Sequence, residues 1–148
     1  MTPSHGRPRR DLLLGVPATF APMFLMARST AGQSPAHAAF AARARALAMR
    51  ELAQASGDQP YGAVIVRGDR VIAEAPSRVV LDGDPTAHAE MEAIRRAARQ
   101  LGTRDLAGCV MYSSSRPCPM CEAAAYWAGI SRMYFGEAPA DAGSPKLR

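Results

Sequence analysis

The sequence predicts an α/β layered domain with a mixed central sheet, on three observations. Short apolar runs at residues 61–66, 71–75, 109–113 and 131–135 have the length and the β-branched or aromatic content of strands. Helical patterns at 36–55, 86–101 and 119–128 lie between or before them. Clusters of Gly, Pro, Asp and Ser mark the joints. Strands that alternate with helices after an opening hairpin bury both sheet faces under helices, and helix-crossed strands are expected to pair in parallel through right-handed connections. At 148 residues, 48% of them hydrophobic, the chain is sized for one packed domain.

The elements follow in order. Residues 36–55, AHAAFAARARALAMRELAQA, are rich in Ala, Leu, Met and Arg. Phe40, Ala44, Leu47 and Glu51 keep helical spacing, and Leu47 and Leu52 supply bulk to a partly apolar face. Ser56-Gly57-Asp58-Gln59-Pro60 ends that helix. YGAVIV at 61–66 reads as a buried strand, 67–70 as a tight connection and 71–75 as the second strand of a hairpin. A polar loop over 76–85 leads to the clearest helix, 86–101. Asp84 and Thr86 are capping types, Met91, Ile94, Ala98 and Leu101 mark its expected apolar stripe, and Gly102 closes it. CVMYS at 109–113 is a third strand, and Cys109 within it reads as a small buried hydrophobe. Residues 119–128 form a helix ended by Gly129, and 131–135 a fourth strand; from Gly136 onward the composition shows no periodic pattern.

The N-terminal 31 residues read differently. Four arginines stand there against one aspartate, so most of the net charge of +5 belongs to this segment, and the remainder is close to neutral. A basic stretch, an apolar run over 12–27 and small residues at 29–31 have the layout of a secretory signal, and Arg9-Arg10 resembles a twin-arginine export address. Residues 1–31 are therefore expected to be an export signal to the bacterial periplasm, cleaved near Ala31 or Ala38, with 36–148 the functional domain. The other reading is a basic tail on a cytoplasmic protein. Gly15, Pro17 and Pro22 interrupt the apolar run, which excludes a stable membrane span there.

Two short motifs carry chemistry. His88-Ala89-Glu90 falls in the first turn of the clearest helix, and Pro117-Cys118-Pro119-Met120-Cys121 lies where a loop enters the next. Cys118 and Cys121 straddle one helical turn, so both sulfurs can face one point, and a helix N-terminus favours thiolates. With His88 they make three ligands of the types tetrahedral zinc prefers, one ion per chain, with one position left open as in catalytic sites. Glu90, two residues from His88, lies about 200° round an ideal helix from it. It reaches water at the ion only if the ion lies beyond the helix end, and there it can move protons without being a ligand. Tyr126 and Trp127 are either core aromatics of one helix or a border of the substrate pocket.

Two other readings stay open on these residues. One is a thiol–disulfide oxidoreductase using Cys118 and Cys121, which leaves His88 and Glu90 without a role. The other is a non-catalytic zinc module, which a missing fourth protein ligand disfavours.

The paired motifs H-x-E and P-C-x-x-C are the known signature of zinc deaminases. With Tyr61-Gly62-Ala63-Val64 and Asp84-Pro85-Thr86-Ala87 they make residues 60–135 resemble the cytidine and deoxycytidylate deaminase superfamily, on its guanine deaminase and tRNA adenosine deaminase branch. Ala125-Tyr126-Trp127-Ala128 is similar to the guanine deaminase side. The resemblance implies a three-layer α/β/α domain, hydrolytic deamination of a nucleobase or nucleoside, catalysis by Glu90 and a homodimer. It also implies substrate contacts at Ala63 and Ser77, with Tyr126 and Trp127 nearby. The family often has Asn where Ser77 stands and Glu where Arg116 stands. It also continues past the fourth strand, so a shortened C-terminus and an uncovered sheet edge are expected here. A nearly neutral domain and an exported location favour a small base, guanine above others, over nucleic acid; Arg95, Arg96 and Arg99 read as a solvated helix face.

Overall fold

The computed structural model describes residues 35–136 and 140–147. The predicted export segment, including its first cleavage candidate, lies outside them. Helix α1 (Pro35–Ala55) is followed by the hairpin β1 (Gly62–Arg67) and β2 (Arg70–Pro76), then a short helix α2 (Val79–Asp82). Next come α3 (Ala89–Leu101), β3 (Cys109–Ser113), α4 (Pro119–Trp127), β4 (Arg132–Phe135) and β5 (Ala140–Gly143). The five strands form one mixed sheet in the order β2-β1-β3-β4-β5.

Strand β1 alternates with period two and so serves both faces. Ala63 and Ile65 join a core with Ala93 and Ala97 of α3, Ala125 of α4, Met111 and Met133. Val64 and Val66 join a second core with Ala42 and Ala46 of α1 and Tyr112. Helices therefore cover both faces, giving the predicted three layers. Each large side chain such as Ile65 or Met111, fully buried here, contributes about 1.5–3 kcal/mol through removal from water.

The helix faces differ from expectation. On α3 the buried residues are Ala89, Glu90, Ala93 and Ala97, with Ile94 and Leu101 packed at the margin. Of the predicted stripe, Ile94 and Leu101 do pack against this core, while Met91 and Ala98 are only half-buried beside it. On α1, Ala42, Ala46 and Ala53 are buried, while Leu52 is 49% exposed. In both cases small alanines let the helix backbone come close to the sheet, which bulk-weighted patterning misses. The approach is closest at Gly62, where a β-carbon would lie 2.2 Å from the Ala46 carbonyl oxygen and 2.4 Å from the Arg50 nitrogen.

Four further expectations need correction. The loop over 76–85 contains α2. Asp84 accepts hydrogen bonds from the Thr86 N–H and hydroxyl at 2.7 Å each, making a turn that precedes α3, which starts only at Ala89. Only one of the two helix-crossed strand couples pairs directly. β3 and β4, joined by α4, pair in parallel, but β2 and β3, joined by α3, each pair antiparallel with β1 inserted between them. Finally, residues 140–143 form β5, antiparallel to β4, so β4 is not the exposed edge. ADAG has no intrinsic strand character; cross-strand hydrogen bonds hold it.

Candidate metal and catalytic site

Strands β2 and β3 both run antiparallel to β1 and so point the same way. Their C-terminal ends lie at one end of the sheet, and the chain leaves each of them toward a helix start. Ligand sites of open α/β sheets form outside such strand ends. His88 is the residue capping α3, with extended backbone (φ −60°, ψ 152°) and no capping hydrogen bond from its side chain. Cys118 holds the same position on α4 (φ −74°, ψ 166°), and Pro119 follows at the first helical position, where its missing N–H costs nothing. His88 thus lies just outside the helical turn in which its spacing places it. Its imidazole is freed from the helix surface and swings toward the helix end.

The result is a tight cluster. His88 Nδ1 lies 3.7 Å from Cys118 Sγ and 3.6 Å from Cys121 Sγ, and the two sulfurs are 3.5 Å apart. Tetrahedral zinc with bonds of about 2.3 Å to sulfur and about 2.0 Å to nitrogen requires separations of roughly 3.8 Å between sulfurs and roughly 3.5 Å from sulfur to nitrogen. The residues present fit such an ion. Burial, reinforced by the Glu90 carboxylate, pushes the Cys121 thiol above its ordinary value, a cost that holding it as a thiolate must overcome. A divalent cation among these acids offsets that cost, as do the two helix N-termini.

Glu90, in the first turn of α3, is 5% exposed. Its Oε2 lies 3.6 Å from Cys121 Sγ, so the carboxyl stands beside the cluster. Burial raises its pKa above the ordinary carboxylate value, and its own backbone N–H, the Cys121 thiol and His88 pull it back only in part. A buried carboxyl that holds its proton more readily than an exposed one is chemically suited to taking and returning a proton beside the cluster. In front lies an open cavity of about 510 Å³ lined by Gln59, Tyr61, His88, Glu90, Ser115, Arg116 and Cys118, within the range of small-molecule pockets.

The other predicted contacts are not gathered here. Ser77 is 1% exposed and its hydroxyl donates to Asp58 Oδ1 at 2.7 Å. Ala63 is buried in the core on the α3 face. Tyr126 and Trp127 are 46% and 74% exposed, set edge to face with each other. None of the four lines the cavity. Gln59, which in sequence reads only as part of the turn ending the first helix, and Ser115, which belongs to no sequence pattern, do line it. Arg116 also lines it, with its guanidinium 5.8 Å from the centre of the Phe135 ring.

A three-layer α/β/α sheet with a His-Cys-Cys cluster and a buried glutamate at its strand ends defines the class of zinc-dependent deaminase domains. A family model described as the cytidine and deoxycytidylate deaminase zinc-binding region matches residues 36–137, and the chain belongs to that family. It is 42% identical to guanine deaminase of Bacillus subtilis (strain 168) over 106 residues, 72% of this chain and 67% of that protein. With tRNA-specific adenosine deaminase of Aquifex aeolicus it shares 42% identity over 91 residues, 60% of each. Among solved structures, the guanine deaminase of Bacillus subtilis superposes with a TM-score of 0.63 at 40% identity, over 66% of this chain and 62% of that one. The chain thus spans between half and two thirds of the length of most of these relatives.

Proposed function

We propose that this chain is a zinc-dependent hydrolytic deaminase of a nucleobase or nucleoside, with a guanine-like purine preferred. The observation that carries the reading is the meeting of His88, Cys118 and Cys121 around one point, beside a buried carboxyl and an open cavity. These three residues would hold one zinc ion, which when bound supplies a Lewis acid that makes water nucleophilic near neutral pH. Glu90 takes a proton from that water and delivers it to a ring nitrogen of the substrate. The water oxygen bonds to the amino-bearing ring carbon. Glu90 then passes the second water proton to the amino group, the carbon–nitrogen bond breaks, and ammonia leaves as the ring carbonyl forms.

The guanine preference draws support from the Bacillus subtilis relative. Preference for a small molecule over tRNA draws support from the α3 arginines that stand nearest to a cluster: Arg95 pairs with Glu92 and Arg96 donates to the Glu74 carbonyl. Phosphate binding needs free, clustered cations. Export through residues 1–31 and assembly as a homodimer belong to the same reading. N-terminal sequencing of protein recovered from periplasm and sedimentation of the purified chain test those two points.

The central test is ammonia release by zinc-loaded protein from guanine, adenine, cytosine, their nucleosides and a tRNA anticodon stem-loop. Guanine is expected to be the best substrate. Metal-free protein with a reducible Cys118–Cys121 disulfide and no ammonia from any compound would overturn the reading in favour of redox chemistry.

A further inference from the structure

Asp58 is a buried acid outside the ligand cluster, and both its oxygens are fully used. Oδ1 accepts the Ser77 hydroxyl and the Gln59 N–H, each at 2.7 Å. Oδ2 accepts the N–H groups of Val80 and Leu81, each at 3.0 Å. Those two donors belong to α2, whose preceding residue Arg78 offers no capping side chain. One carboxylate therefore ties the turn after α1 to the segment 77–81. That segment is in turn joined to the site at two points. The Ser77 N–H donates to the Tyr61 carbonyl and the Arg78 N–H to the Ala87 carbonyl, each at 2.9 Å. Gln59 and Tyr61 line the cavity, and Ala87 directly precedes His88.

We propose that Asp58 is a positioning residue for the cavity: it fixes the wall made by Gln59 and Tyr61 relative to the strand of chain that delivers His88. A charge-assisted bond is about twice as strong as a neutral one, and here four converge on one group. The turn at 56–61 and the connection at 77–88 lie outside the sheet, so no strand ladder sets their spacing. Ser77 belongs to this linkage, which accounts for its hydroxyl facing Asp58 and not the cavity. An effect of this linkage on substrate rests on the deaminase reading; the linkage itself does not.

Asp58→Asn is the sharpest cut. The amide keeps the shape, but in either orientation an NH2 group must face at least one backbone N–H that the carboxylate accepted. The full chain, zinc-loaded, is compared with the variant by residue-resolved amide hydrogen exchange, zinc content and steady-state kinetics on the best compound of the panel. Expected are faster exchange confined to 59–61, 77–81 and 87–88, unchanged exchange in 121–128, and the same zinc content per chain. KM is expected to rise about fivefold or more while kcat stays within about twofold. Ser77→Ala should give a smaller effect in the same direction, and the double variant should resemble Asp58→Asn alone. Exchange that quickens throughout the fold or at none of these amides, loss of zinc, or an unchanged KM would overturn the proposal. If the wild-type chain releases no ammonia from any compound, the deaminase reading falls, and the exchange pattern alone decides whether Asp58 holds this wall.

Discussion

The two faces of the sheet are packed with the same small residue yet carry different work. On one face α1 presents Ala42 and Ala46 to Val64, Val66 and Tyr112. On the other, α3 and α4 present Ala93, Ala97 and Ala125 to Ala63, Ile65 and Met111. Alanine contact brings helix and sheet close in both places. The difference is where the helices begin. α1 lies across Gly62 with its backbone almost touching the strand, and contributes no ligand to the cluster. α3 and α4 each begin with a residue of the cluster, His88 and Cys118, at the same end of the sheet. One face is a packing contact; the other adds a focus of helix N-termini, whose free N–H groups and dipoles favour negative charge there and oppose the cost of burial.

That contrast can be broken on its chemical side first. Cys121→Ala removes one of the three proposed ligands and should abolish both zinc retention and deamination, read by metal analysis and ammonia release on the same sample; zinc retained at full stoichiometry would count against the cluster. Glu90→Gln should lower kcat by about 10²–10⁴-fold while zinc content and the melting temperature hold, since the amide preserves shape and sheds a buried charge. A variant that deaminates at the wild-type rate would remove Glu90 from the mechanism.

The packing face predicts the opposite pattern. Gly62→Ala forces a β-carbon into α1 backbone and should cost about 1–3 kcal/mol of stability. Denaturant unfolding measures that loss, and the folded fraction should bind zinc as before. The smallest effect is expected at the outer end of α4, where Trp127 is mostly exposed. Trp127→Ala should change stability by no more than about 0.5 kcal/mol and leave KM within about twofold. A large rise in KM would return Trp127 to the substrate border that family resemblance implies.

Much of this is legible in the sequence, and the gaps have physical causes. Strand runs such as YGAVIV declare themselves because β-branched residues and period two leave few other structures available. The C-x-x-C spacing announces a shared ligand point because one helical turn separates the two sulfurs. Sequence patterning finds Ile94 and Leu101 of α3 but misses the alanines that centre the contacts of α1 and α3, because a buried alanine adds little apolar signal although it governs how near two backbones come. His88 reads as part of the helix because an N-cap and a first-turn residue look alike in sequence when the side chain makes no cap bond. Gln59 looks like an ordinary turn residue and Ser115 stands in no pattern at all, since a cavity rim assembled from loops has no period. β5 leaves no trace in composition because its pairing with β4 is what makes it a strand.

By itself the sequence determined the donor chemistry: which side chains can hold an ion, how two of them are spaced on one turn, and which carboxyl stands two residues from the third. Only the tertiary structure decided that they meet. β1 lies between β2 and β3 and is antiparallel to both, so the two flanking strands point the same way and release their chains at one end of the sheet. Residues 30 and 33 positions apart in the chain are brought within bonding distance of one point by that arrangement, because strand order and direction are set by pairing across the whole sheet and not by any local run of residues.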